Sequence, residues 1–290
     1  MMSDRATTGY DAIVFAGGGT RCFWQMGFWS VAAPALALRP EQVAAVSAGA
    51  AAAAAALVGK CEHALEHFKG ATARNPRNVY PARLLRPSGE RAFPHEPIYR
   101  AAIKATVDAD DIRLLREGPE LRVVVTRPPP WLGPRLALLA GLGCYLVEKR
   151  LGDPLHGTLS RRVGFRPEVI SARECDSPAA VADLVLASSC TPPFTSSIRR
   201  GGRPVLDGGL MDGAPLFALR ARPRRVLALL TRSYGALPPP GAEGAQVTYL
   251  QPSEPITISK WDYTDPDGIQ RTFDLGRRDA EAFVANQPLS

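Results

Sequence analysis

The stretch Val43-Ala44-Ala45-Val46-Ser47-Ala48-Gly49 is followed by seven further alanines, Ala50 to Ala56. Its first four residues form a short apolar run that looks like a strand. The alanines behind it suit a helix. One polar residue, Ser47, stands where strand gives way to helix. The spacing Ala45-x-Ser47-x-Gly49 is that of a nucleophile elbow, with Ala in place of the first Gly. A sharp turn aims the serine oxygen outward, so neighbours two positions away must be small. The free N–H groups of the following helix then favour negative charge on that oxygen. A second reading stands beside this one: Ser47 merely caps the helix, as Ser commonly does.

The same grammar occurs upstream. Ala12–Phe15 is a continuous apolar run leading into Gly17-Gly18-Gly19-Thr20-Arg21 and then a helical segment. Consecutive glycines after a buried strand let the backbone approach a ligand and point N–H groups at it. A dinucleotide fingerprint needs Gly at position 22, which is Cys22. A Walker A loop needs Gly-Lys-Ser/Thr, which is absent. An oxyanion cradle and a ligand-free turn remain.

A third strand end carries a carboxylate. Pro204-Val205-Leu206 opens into Asp207-Gly208-Gly209. Ligand sites in open α/β sheets lie at such strand ends. An ordinary Asp-Gly turn is the alternative. A serine nucleophile needs a base, and the four histidines are His63, His67, His95 and His156. None follows position 156, so a hydrolase triad in the order Ser, Asp, His has no late histidine to use. His63 and His67 share one helix face without a third residue at metal-ligand spacing.

Strand signals lie at Ala12–Phe15, Val43–Val46, Leu121–Thr126, Val205–Leu206, Val226–Leu230 and Val247–Leu250. Helical patterns lie at Cys22–Leu36, Ser47–Leu57, Glu62–Ala73, Pro97–Thr106, Arg135–Arg150, Pro178–Ala187 and Ile269–Asn286. The alternation predicts an α/β fold: one domain over residues 1–290, three layers (α/β/α) around a mostly parallel central sheet. Residues 128–165 are read either as a helical cap over a site or as a core-packing helix. The C-terminal helix, residues 268–287, has enough apolar residues for packing on the sheet to account for it.

Composition narrows the classes. The 290 residues carry 35 Lys and Arg against 28 Asp and Glu, a net charge of +7. That gives a weak attraction to anionic surfaces. No nucleic-acid motif or interleaved aromatic stripe accompanies it, so no nucleic-acid partner is expected. Five cysteines, an odd number without a CxxC pair, argue against disulfides or zinc and for a reducing, cytoplasmic compartment. The N-terminus lacks the apolar core of a signal peptide. Val43–Gly59 and Leu136–Val147 fall short of the about 20 strongly apolar residues of a spanning helix. Peripheral membrane contact through Trp131, Leu132 and the Leu136–Val147 helix, with Arg135 and Arg150 toward headgroups, is the membrane role left open.

Taken in order, Gly17-Gly18-Gly19-Thr20-Arg21, Val46-Ser47-Ala48-Gly49 and Asp207-Gly208-Gly209 resemble the patatin-like phospholipases. Ala187-Ser188-Ser189-Cys190-Thr191-Pro192-Pro193-Phe194 resembles the family's small-residue and Pro segment before its Asp-Gly-Gly. The likeness covers roughly residues 10–235. It implies a Ser–Asp dyad hydrolase acting on acyl esters of lipids, with neither metal nor cofactor. Ser47 would be the nucleophile and Asp207 its base. The loop Gly17, Gly18, Gly19, Thr20 and Arg21 would form the oxyanion hole, chiefly through N–H groups around Gly18, Gly19 and Thr20. Ala45, Gly49, Gly208 and Gly209 would shape the two turns. The chain departs from the family pattern at Ala45, at Cys22 and at Gly213. Two other readings use the same residues: an acyltransferase passing the Ser47 acyl group to an alcohol, and a non-catalytic lipid-binding or regulatory protein.

Overall fold

Every segment read from sequence as strand or helix is one in the computed structural model, which describes residues 9–84, 91–151, 155–220, 223–238 and 244–287. Residues 1–8, the first part of the stretch read for a signal peptide, lie outside the described residues. Strands β1 (Ala12–Phe15), β2 (Gln42–Val46) and β3 (Glu120–Arg127) are followed in the chain by β4 (Arg166–Ser171), β5 (Ile198–Arg200), β6 (Arg203–Asp207), β7 (Arg225–Leu229) and β8 (Gln246–Leu250). The helices are α1 (Phe23–Ala35), α2 (Ala48–Leu57), α3 (Cys61–Ala73), α4 (His95–Thr106), α5 (Asp111–Glu117), α6 (Pro134–Leu151), α7 (Leu159–Arg162), α8 (Pro178–Ser188) and α9 (Pro266–Ala285).

The strands form one mixed sheet flanked by helices. Its parallel part runs β3-β2-β1-β7-β8, as the continuous apolar runs of β1, β3 and β7 predict. β4, β6 and β5 are antiparallel additions at the β3 side. β4 and β5 carry no strand signal because they are half-exposed and rich in charge, as edge strands are.

Alternation along each strand divides the core in two. Ile13, Phe15, Val43, Ala45, Val123 and Leu227 face a thick layer built from α1, α2, α3, α4 and α8. Val14, Ala44, Val46, Val124 and Ala228 face a thinner cover that includes Ala214, Leu216 and Ala218. The C-terminal helix corrects one expectation. α9 packs on α1 and α3 rather than on the sheet, and Trp24 Nε1 on α1 donates to Asp279 on α9 at 2.7 Å. Its wide apolar face is therefore spent on another helix.

α6 falls within residues 128–165. Ala137 packs with Phe165, Leu206 and Met211, while Leu138 and Glu148 line the cavity described next. No described helix is long and apolar enough to cross a membrane.

Candidate active site

The edge of β3 brings the two distant motifs together. β4 takes one edge of β3 from Arg122 to Arg127. The other edge is shared: β2 ends on it with Val46 opposite Val124, and β6 ends on it with Asp207 opposite Val125. Two strands running toward each other therefore deliver Ser47 and Asp207 to one point. Ser47 Oγ donates to Asp207 Oδ2 at 2.7 Å.

The turn at Ser47 has φ 54° and ψ −134°, a region that non-glycine residues rarely occupy. Its side chain makes no capping bond to α2, so the helix-cap reading falls. Ala45 is fully buried in β2 and fits there. Gly49 has no such freedom, because a Cβ there would lie 2.4 Å from the Ala16 carbonyl oxygen. The first turn of α2 thus presses on the end of β1. Gly208 is restricted likewise, because a Cβ there would run into the Val124 carbonyl oxygen.

Ser188 holds the elbow. Fully buried at the end of α8, it accepts from the Ser47 N–H at 2.7 Å and donates to the Val124 carbonyl at 2.6 Å. Asp207 divides its oxygens. Oδ1 accepts from the Gly209 N–H at 2.7 Å, the ordinary Asp-Gly turn, while Oδ2 takes Ser47 and, at 3.3 Å, the Thr191 hydroxyl. Burial pushes the Asp207 carboxyl above its ordinary value; Ser47, the Gly209 N–H, the Lys260 charge and Thr191 oppose that shift.

The glycine loop lies beside this pair, and a Cβ on Gly17 would sit 3.4 Å from Ser47 Cβ. Several loop N–H groups are already engaged. Gly17 donates to the Gly213 carbonyl at 3.0 Å, Thr20 to that of Lys260 at 3.2 Å and Arg21 to that of Gly18 at 3.3 Å. Of the five residues read from sequence as an oxyanion hole, three therefore have their N–H groups engaged within the protein. Only the N–H groups of Gly18 and Gly19, among the described residues of the loop, have no acceptor within the protein. Thr231 donates to the Gly17 carbonyl, Thr20 Oγ1 to that of Ser259 and Arg21 Nε to that of Ile258. Arg21 and Thr20 are thus clamps of the loop.

Ser47, Asp207 and the loop open into a cavity of about 510 Å³. Trp261, Lys260, Phe194, Leu138 and Met211 form parts of its wall. A smaller apolar slot of about 50 Å³ starts at Gly19, Ala48 and Tyr99, which line both spaces, and runs between α1, α2, α3 and α4. Ala51, Ala54 and Ala55 keep it open; Cys22 and Phe68 also line it.

The histidines stand apart from the serine. His156 Nδ1 lies 2.9 Å from both carboxylate oxygens of Asp212. His63 reaches the Ala105 carbonyl. His95 is buried on the cavity wall, its Nε2 2.9 Å from the Trp261 carbonyl. Sequence reading missed Thr231, Lys260 and the wall from Ser259 to Tyr263, a region without Gly punctuation or motif. Ser188 and Thr191 lay within the segment quoted for the resemblance, but nothing in the string distinguishes them from their neighbours.

The family model described as patatin-like phospholipase matches residues 13–220, and the chain belongs to that family. No curated protein matches. Among solved structures, VipD from Legionella pneumophila is similar at a TM-score of 0.45 and 12% identity, over 95% of this chain and 67% of that one.

Proposed function

We propose that the chain is a carboxylic-ester hydrolase that cleaves acyl esters of lipids through Ser47 and Asp207. Membership of the family supports lipid acyl hydrolysis in general. The observation that carries the particular reading is the 2.7 Å hydrogen bond from Ser47 to a carboxylate raised by burial, at a strained turn in a cavity wall.

In this mechanism Asp207 accepts the Ser47 proton as Oγ attacks the ester carbonyl. A carboxyl above its ordinary value is a stronger base than a solvated aspartate. The tetrahedral oxyanion is held by the Gly18 and Gly19 N–H groups and by the N-terminus of α2; one such donor is worth about 3 kcal/mol of barrier. The proton on Asp207 passes to the departing alkoxide, which leaves as the alcohol. Water then attacks the acyl-enzyme, giving its proton to Asp207, which returns it to Ser47 as the carboxylic acid departs. The apolar slot beside Ala48 takes the start of the acyl chain.

The exposed face of α6 supports peripheral contact with a lipid surface. Trp131 ahead of it is 74% exposed, and Leu136, Leu139, Leu146 and Val147 are also exposed. The side chain of Arg135 lies outside the described residues. Turnover of short-chain nitrophenyl esters and of a dispersed phospholipid tests the proposal. Hydrolysis with release of free fatty acid is expected. Absence of turnover on every ester, or acyl transfer to added glycerol in place of hydrolysis, would overturn it.

A further inference from the structure

Residues 258–263 follow β8 and lie beyond residues 13–220, the part matched to the family. They run as a strap across the glycine loop. The Ile258, Ser259 and Lys260 carbonyls accept in turn from Arg21 Nε at 3.2 Å, Thr20 Oγ1 at 2.8 Å and the Thr20 N–H at 3.2 Å. The Lys260 carbonyl also fills the place that a Cβ on Gly19 would take, and Gly19 has φ 61°. Close approach and backbone conformation both call for glycine there. At its other end the loop is held by Gly17, whose N–H donates to the Gly213 carbonyl and whose own carbonyl accepts from Thr231. Gly18 and Gly19, the candidate oxyanion donors, lie between these fixed points.

The strap is itself anchored on its far side. Both main-chain groups of Tyr263 are taken by side chains: its N–H donates to Asn78 Oδ1 at 2.8 Å, and its carbonyl accepts from Asn75 Nδ2 at 2.9 Å. Asn78 Nδ2 also donates to Asp262 Oδ1 at 3.0 Å, and Asn75 Oδ1 accepts from the Tyr80 hydroxyl at 2.9 Å. A connecting segment outside helix and sheet needs such partners to keep its main chain in one place. Neither Asn lines the reaction cavity. Nearer the site, His95 Nε2 donates to the Trp261 carbonyl, and the Trp261 ring stacks on Phe194 with centroids 4.5 Å apart. Phe194 lies three residues after Thr191, which donates to Asp207. The strap thus touches the oxyanion side of the site and the base side.

We infer that the strap is a working part of the active site, and that Thr20, Asn75 and Asn78 are positioning residues that act through it on the Gly18 and Gly19 N–H groups. The inference rests on the ester-hydrolase reading. Hydrogen-bond donors stabilise an oxyanion most when they are aimed before the charge appears. A loop pinned at Gly17 alone would swing. Pinned at Thr20 and Arg21 as well, it keeps Gly18 and Gly19 at the cavity wall beside Ser47. A looser loop binds the ester as before but holds the tetrahedral oxyanion less well, so kcat falls while KM stays.

The test uses Thr20→Val, which removes the hydroxyl bond to Ser259, Thr20→Ser, which keeps it, and Asn78→Ala, which frees the far end of the strap. On nitrophenyl butyrate, Thr20→Val is expected to lower kcat about five- to tenfold with KM unchanged. Thr20→Ser should restore most of the loss, and Asn78→Ala should lower kcat severalfold in the same way. A butyl trifluoromethyl ketone, which the serine converts into a tetrahedral oxyanion, should bind each weakened variant more poorly by the factor lost in kcat/KM. Wild-type kcat in both Thr20→Val and Asn78→Ala, or a loss that falls on KM, would overturn the positioning role. Hydrogen exchange reads the strap without turnover: the Thr20 and Arg21 N–H groups should exchange faster in Asn78→Ala than in the wild type, and unchanged exchange would overturn the coupling. Absence of wild-type turnover on every ester would instead contradict the hydrolase reading, and the exchange result would still decide the coupling.

Discussion

At the scale of single residues, Ser188 decides how well Ser47 is held. It accepts the Ser47 N–H and donates to the Val124 carbonyl, so removing its hydroxyl leaves two buried backbone groups without a partner. Ser188→Ala is expected to lower stability by about 1–3 kcal/mol, read by urea unfolding, and to lower kcat/KM on a short-chain ester by about tenfold. Unchanged kinetics would show that the elbow holds itself. Asp207 adds a pH signature. It must be ionised to take the serine proton, and burial raises it above the ordinary carboxylate value of about 3.9. The acid limb of kcat/KM should therefore lie above that value. The same shift opposes folding. The cost is absent below about pH 3.9, appears as pH rises from there, and is complete once the raised folded-state value is passed. Across that window the wild type should lose stability relative to Asp207→Asn, and parallel stability curves would refute the shift. Ser47 and Asp207 were legible in the sequence because each ends an apolar strand beside small residues. Ser188 was not, because its role depends on a carbonyl 64 positions away.

At the scale of elements, the site depends on how closely α2 lies on the sheet. Gly49 sets that distance, with β1 carbonyls where a Cβ would go. Gly49→Ala is expected to push α2 off β1, costing about 1–3 kcal/mol as overpacking does and lowering turnover by more than the stability loss explains. A melting curve and an ester assay on the folded fraction check both, and normal values in each would contradict the constraint. Most elements that patterning revealed are buried on both faces or amphipathic over three turns; β6 and β8, partly exposed, showed through short apolar runs. β4, β5 and the short α5 and α7 escaped because three to seven half-exposed residues carry no period. β4 is the costly omission. It fills one edge of β3 and leaves β2 and β6 to meet on the other, which sequence order alone does not show.

At the scale of the whole molecule, one wall of the cavity comes from α6, whose opposite side presents apolar residues to solvent. Joined to a net charge of +7, that face predicts binding to anionic vesicles. Co-sedimentation with phosphatidylglycerol vesicles should fall clearly on Trp131→Ala combined with Leu139→Ser. Equal binding by the variant would place the contact elsewhere. The glycine loop, the elbow and the Asp-Gly-Gly turn come from strand ends spread over nearly two hundred positions, and the fold gathers them around one opening. Initial rates on nitrophenyl butyrate for the wild type, Ser47→Ala, Asp207→Asn and the double variant test that arrangement most directly. Each single change should cost at least about a thousandfold, and the double no more than the worse single, because the pair acts as a unit. Wild-type rates in either single variant, in protein that folds normally, would contradict the dyad.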